Sequence, residues 1–356
     1  MSNTAVTAPK PAAFTSAPEL GLRAGDWVVV RSKEEILATL DSLGRLEGMP
    51  FQPEMWAWCG KRLKVQKSAH KTCDTIHKSG GRGIHAAVHL EGARCDGAKH
   101  AGCMADCVFF WKEAWLRPEG EPSAAPVKAP AGACTEAIVE ARVKAPGQEN
   151  EPDPAWVCQT TALFEASTPL KWWDVRQYIK DVTSGNHSAW AMFKLLFAAN
   201  YRALVHRGIG YSYLVGFYNF VQKIRGGEPY PEAVGKIPDG QPTPVEKLTL
   251  KVGDWVEVRS REEIEATMTV NGFNRGMRFD IEMLKYCGHR YRVQLLVDRL
   301  LHEVTGKLIP MKTACIQLED VYCRATCTDF RLGCPRMMPS YWRQIWLKQV
   351  DGPKGA

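Results

Sequence analysis

Gly25–Leu40 reads GDWVVVRSKEEILATL, and Gly253–Met268, 228 residues further on, reads GDWVEVRSREEIEATM. The register runs without a gap through Gly44/Gly272, Gly48/Gly276, Phe51/Phe279, Glu54/Glu282, Met55/Met283, Cys59/Cys287, Arg62/Arg290 and Val65/Val293. It still holds at Leu90/Leu318, Glu91/Glu319 and Cys95/Cys323. A three-residue insertion then moves the offset to 231 for Cys103/Cys334, Trp111/Trp342 and Trp115/Trp346. Chance does not produce such a match, so the chain holds a tandem duplication of a module of about 95 residues.

Local chemistry suggests what each module looks like. GDWVVV alternates and is rich in β-branched residues, which predicts a strand after a turn. Ser32 followed by Glu35 forms a capping-box signature, so SKEEILATLDSLG predicts a short helix closed by Gly44. RLKVQK and IHAAVHLEG read as further strands. Each copy is therefore expected to be a small β-barrel with a helix between its first two strands, and both copies should share one strand order.

Cysteine is the residue type that suggests chemistry. Cys59/Cys287, Cys95/Cys323 and Cys103/Cys334 occur in both copies, and each copy adds a nearby fourth, Cys107 in the first and Cys327 in the second. Four converging thiols per copy suit tetrahedral zinc or an iron–sulfur cluster, one per repeat. His100 is a candidate substitute ligand in the first copy. The competing account is that these cysteines are small buried hydrophobes. Cys73, Cys134, Cys158 and Cys315 have no partner in the other copy and read as incidental.

Composition bounds the rest. The chain has 356 residues, 45% hydrophobic and 24% charged, which is enough for two or three globular domains. The net charge of +7 permits an acidic partner, but nucleic-acid binding would rest on KRLKVQK alone. No export signal stands at the start, so the cytoplasm is the expected compartment, where twelve cysteines favour thiols or metal ligands over disulfides. No membrane partner is expected, because the most apolar run, Ala189 to Val205, is broken by Lys194 and Arg202.

The expected class is α+β, two tandem SH3-like small β-barrel domains flanking a helical insert. The division is a disordered leader over 1–20, the first Cys-rich repeat over 21–117, and a Pro/Ala-rich linker over 118–155. A helical insert follows over 156–235, then a linker over 236–248 and the second Cys-rich repeat over 249–350. The insert's aromatic residues, Trp172, Trp173, Tyr201, Tyr211, Tyr213, Phe217 and Tyr218, should pack it onto the two modules.

GDWVVVRSKEEILATLD, EMWAWCGKRLKV, CDGAKHAGCMADCVFFWKEAWL, WWDVRQYIKDVTSGN, CIQLEDVYC and CPRMMPSYWRQIWL together resemble a bacterial family of tandem Cys/Trp-rich GDWV-repeat proteins, often encoded near biosynthetic gene clusters. That resemblance implies no activity. The GDWV strand opening also resembles SH3-like small barrels such as the nitrile hydratase β-subunit fold, a likeness of fold that carries no function. Phosphate loops, G-x-S-x-G elbows and HExxH motifs are absent from the sequence. A Cys73 nucleophile with His70 or His77 can be drawn, but a solvated polar loop accounts for HKTCDTIHK as well. Glu54/Glu282 and Glu91/Glu319 recur, and a structural hydrogen bond or pairing with Arg62/Arg290 explains them better than a general base.

Two functions remain open. One is a metal-thiolate accessory or binding module for a protein or small molecule. The other is an iron–sulfur redox protein or enzyme of a biosynthetic pathway. Whether there is any catalysis is left open by the sequence.

Overall fold

Trp27–Val30 (β1) alternates as the sequence requires: Val28 and Val30 are buried, while Trp27 faces outward under the guanidinium of Arg62. The computed structural model describes residues 19–74, 76–77, 80–122, 134–208, 210–227, 229–326 and 332–352. It mixes helices and sheets as an α+β protein. The helices are α1 (Lys33–Leu37), α2 (Glu136–Ala141), α3 (Arg176–Thr183), α4 (Ala189–His206), α5 (Tyr211–Arg225) and α6 (Arg261–Glu265).

In the first repeat, β1 is joined by β2 (Arg62–Ser68), β3 (Ala87–Leu90), β4 (Trp111–Lys112) and β5 (Leu116–Pro118), in the antiparallel order β4-β3-β2-β1-β5. The second repeat has β6 (Trp255–Val258), β7 (Arg290–Leu301), β8 (Leu308–Tyr322), β9 (Pro339–Arg343) and β10 (Leu347–Gln349), in the order β9-β8-β7-β6-β10. The order is the same, and so is the register. Trp27 faces Lys64 as Trp255 faces Arg292, Val65 faces Leu90 as Val293 faces Leu318, and Val88 faces Trp111 as Ile316 faces Trp342. Even the irregularity after Val65 recurs after Val293.

Packing repeats with equal fidelity. Trp115 and Trp346 are fully buried, and each indole N–H donates to a threonine at the end of the preceding helical segment, Thr39 at 3.1 Å and Thr267 at 3.0 Å. Phe51 meets Trp115 edge-on at 5.1 Å, and Phe279 meets Trp346 at 5.2 Å. Both predicted capping boxes form, Ser32 with Glu35 and Ser260 with Glu263. One expectation is not met in full. The edge strands β4 and β5 are joined by the 3-10 turn Glu113–Trp115 instead of pairing, so among the described residues the sheet stays open.

The segments around the repeats are more ordered than their composition suggests. In the stretch expected to be a flexible linker, Cys134, Ile138 and Val139 pack against the first core, with Val139 facing Gly44. The linker before the second repeat hydrogen-bonds to it, through Lys236 to Glu265 and Ile237 to Met268. The insert docks on β2, where the Asn186 side chain exchanges two 2.8 Å hydrogen bonds with the Ser68 backbone. It is held further by a buried ion pair between Lys71 and Asp181 of α3. Its aromatics, expected to be packed away, are largely exposed. Trp172, Trp173, Tyr213 and Phe217 lie open, and Trp190, Phe193, Phe197 and Tyr201 stack along α4. Among the described residues no helix is long and apolar enough to cross a membrane.

The repeats meet around a local two-fold axis. The Arg94 guanidinium lies 4.5 Å over the ring of Tyr322, the residue equivalent to Arg94 in the second copy. The same guanidinium donates to the carbonyls of Asp106 and Met337, again an equivalent pair, and both residues adopt positive φ. Equivalent residues meet like this only near a two-fold axis, and the cysteine loops lie beside it.

Candidate metal centres

Each cysteine loop begins at the end of a sheet strand and is tied down by a glutamate. In the first copy, Glu54 Oε1 accepts the Lys99 N–H at 3.0 Å and bonds His100 Nδ1 at 2.7 Å. In the second, Glu282 accepts the Arg324 N–H at 2.9 Å and the Thr326 hydroxyl at 3.1 Å. This accounts for the recurrent acid as a structural acceptor. Burial pushes the Glu54 carboxyl up, but the His100 hydrogen bond and charge and the loop amide outweigh it and hold it below the usual carboxylate range. Arg62 pairs with Glu119 instead, and Arg290 with Glu257. The loops close alike: Cys95 N–H donates to Cys107 O, and Cys323 N–H to Met338 O, both at 2.8 Å.

The structure places Cys95, Cys103 and Cys107, with Cys158 from the segment after the linker, around one cavity, but among the described residues no three of these sulfurs lie within 4.8 Å of one another. The cavity that all four line measures about 30 Å³. That volume holds an ion or a single water molecule but not an organic substrate. Thr160 donates to Cys107 Sγ at 3.7 Å. Cys59 does not line this cavity. It caps the 3-10 helix Pro53–Trp58 and packs on the first core, where burial raises its thiol to about 11 and Lys33, Glu34 and Glu136 are its charged neighbours. Cys287 caps the equivalent helix in the second repeat and packs on that core. Both residues are partly buried against their cores in equivalent positions.

The second cluster also gains an outside member. The Cys334 thiol is hydrogen-bonded to Cys73, which belongs to the first repeat, and Cys323 lies within electrostatic reach of both. Cys327, the fourth thiol expected there, lies outside the described residues. The two-fold axis explains the crossing. Cys103 Sγ accepts the Leu301 N–H at 3.3 Å, and Cys73 and Leu301 are equivalent positions on the two ribbons. Each loop thus rests its Cys103-type sulfur on the other repeat. Sequence reasoning missed Cys73 and Cys158 because neither has a counterpart in register.

A finer regularity runs through both clusters. The backbone N–H groups of Gly97, Ala105, Thr160, Ala325 and Arg336 lie near Cys95, Cys103, Cys158, Cys323 and Cys334 respectively and favour their thiolates. Each of these amides lies two residues beyond its sulfur, and Leu301 at Cys103 and Thr161 at Cys158 add further ones. Amides aimed at sulfur favour the thiolate, the form that binds metal. Burial opposes them: it drives the Cys95 thiol far up, Cys107 to about 11 and Cys323 to about 12. Cys334 is lowered, chiefly by its hydrogen bond with Cys73. Desolvated thiols with amides already aimed at them gain charge only when a cation replaces the protons.

Glu54, Cys95 and His100 bring three ligand-type atoms within 4.8 Å of one another. His100 nonetheless has both ring nitrogens engaged, Nδ1 with Glu54 and Nε2 with the Val157 carbonyl at 3.1 Å. It ties the loop to Glu54 and to the segment after the linker. No protein-family model matches the chain, and no curated protein or solved structure does either.

Proposed function

We propose that this is a metal-thiolate protein with one site per repeat, in which the metals clamp the two repeats and the chain acts as an accessory or binding module. Site one is assigned Cys95, Cys103, Cys107 and Cys158. Site two is assigned Cys73, Cys323 and Cys334, with Cys327 as the fourth candidate. The observation that carries this reading is the N–H···S pattern, which recurs at five sulfurs of the two clusters. All-sulfur donors suit zinc, and a 30 Å³ cavity suits one ion better than a multi-iron cluster. Zinc–sulfur bonds of about 2.3 Å would draw the thiols closer than they now stand.

The strand order and the 3-10 link before the last strand support reading each repeat as an SH3-like small barrel. The free thiols of the described cysteines suit a reducing cytoplasm. With its sites clamped, the scaffold presents the exposed aromatic helices of the insert to a protein or small-molecule partner.

Metal content of freshly purified protein tests the assignment. Two zinc ions per chain are expected. Cys158→Ser and Cys73→Ser should each lose one, while Cys59→Ser should lose none. A chain that carries no metal and takes up no Co²⁺, or a Cys59→Ser variant that loses its metal, would overturn the assignment. Brown protein containing iron and sulfide would favour the redox reading instead.

A further inference from the structure

The second repeat carries a pocket of about 450 Å³ lined by Lys247, Arg275, Lys312, Arg343 and Gln344. In the duplication these positions answer to Glu19, Glu47, Ile84, Lys112 and Glu113. Three acids and one lysine in repeat one have become four basic residues and no acid in repeat two. Lys247, Arg275 and Lys312 are exposed, so packing does not dictate their sign.

The reversal changes what the buried cation rests on. In repeat one the Lys112 ammonium donates to Glu47 and to the His85 carbonyl. In repeat two the Arg343 guanidinium, equally buried in the sheet, meets carbonyls alone. Nε donates to Asn274 O at 3.3 Å, Nη1 to Thr313 O at 2.8 Å and Nη2 to Arg275 O at 2.7 Å. Three of its five N–H groups are so used, and each terminal nitrogen keeps one. Among the described residues no carboxylate stands within ion-pair distance to offset its burial. Glu246 also lines the pocket, but its carboxylate is held by Arg259 at 2.8 Å.

A cation taken out of water without a counter-ion is costly, and a guanidinium fork fits a carboxylate or phosphate group. Basic residues around a pocket focus its field and draw anions in. The volume is that of a small-molecule site, which runs from about 300 to 1,000 Å³. We propose that this pocket binds a small organic dianion, a phosphate ester or a dicarboxylate, with Arg343 at its base and Lys247, Arg275 and Lys312 at its rim. Repeat one closes the equivalent place with its own Glu47–Lys112 pair, so the site belongs to repeat two. It stands apart from the metal reading.

Calorimetric titration of the full chain with glycerol 3-phosphate and with succinate tests this, and the tighter binder names the kind of dianion. Arg275→Glu and Lys312→Ile each install the repeat-one residue, and Glu47 shows that the positive φ shared by positions 47 and 275 accepts glutamate. Each should weaken binding by roughly tenfold or more, the scale of one nearby charge at an effective dielectric of about 20. Arg275→Glu should also raise the melting temperature, because it gives Arg343 the carboxylate that Lys112 already has. Arg23→Glu, an equal change of charge on an exposed residue of repeat one, should leave affinity unchanged. The proposal falls if neither probe binds in the millimolar range or tighter, or if either rim variant binds as the parent chain does. It falls equally if Arg275→Glu lowers the melting temperature, or if Arg23→Glu weakens binding as much, which would mean attraction to net charge alone. Should one rim variant fail to fold, the other decides.

Discussion

Trp115 and Trp346 sit in cores that match to about 0.1 Å in ring spacing and hydrogen-bond length, yet the loops a few residues before them recruit their last thiols from different places. Repeat one takes Cys158 from the segment between the copies, and repeat two takes Cys73 from repeat one. The core was held constant because volume changes in a packed interior are costly. On the proposed metal reading the loops are free to differ, because a soft-metal site demands sulfur atoms, not a particular stretch of chain. Repeated residues therefore report packing and part of each cysteine cluster, while Cys73 and Cys158 join the clusters from outside the register.

The comparison can be broken most directly at the cores. Trp115→Ala and Trp346→Ala should each cost about 3–5 kcal/mol, by equal amounts, in urea unfolding of the full chain. A clearly smaller loss at one of them would mean that the two cores are not equivalent.

A subtler asymmetry lies on β3 and β8, where His89 and Gln317 are equivalent and both fully buried. Burial holds His89 neutral, with its pKa lowered to about 4, and Nδ1 sits 2.8 Å from the Phe109 carbonyl. Because the folded value lies below the ordinary 6.5, the stabilisation is whole above that pH and is lost as pH falls through about 4. Repeat one should therefore open first on acidification, seen as earlier loss of amide protection in its strands by hydrogen exchange. His89→Gln should bring its acid tolerance toward that of repeat two. An unchanged acid midpoint in that variant would show that His89 is not the cause.

The smallest expected effect is at the helix caps. Ser32→Ala and Ser260→Ala should each cost about 1 kcal/mol, again equally, by thermal or urea melting.

Much of this was legible in the chain. Strand order, register, capping boxes and the buried tryptophans follow from a duplication that runs almost without gaps, because two sequences under the same packing constraints reveal which faces are buried. The recurrence of Cys95, Cys103 and Cys323 was legible for the same reason. Cys59 and Cys287, included in the expected ligand set, cap equivalent 3-10 helices and pack on their cores. Cys73 and Cys158 could not be found by comparing copies. One acts across the two-fold axis and the other lies outside the repeat, so neither leaves a periodic trace. In the stretch expected as a Pro/Ala-rich linker over 118–155, the helix Glu136–Ala141 fills the space beside Gly44, an order that composition alone does not suggest.

The crossing of Cys73 into the second cluster and of Cys103 onto the second ribbon has one more consequence. Two separate copies meeting about a two-fold axis would hold each other's sulfurs only while associated, and dilution would empty both sites together. Joining the copies in one chain replaces that encounter with an internal effective concentration fixed by the connecting segment. If the two clusters bind metal as proposed, their occupancy would follow the metal supply and not the protein concentration.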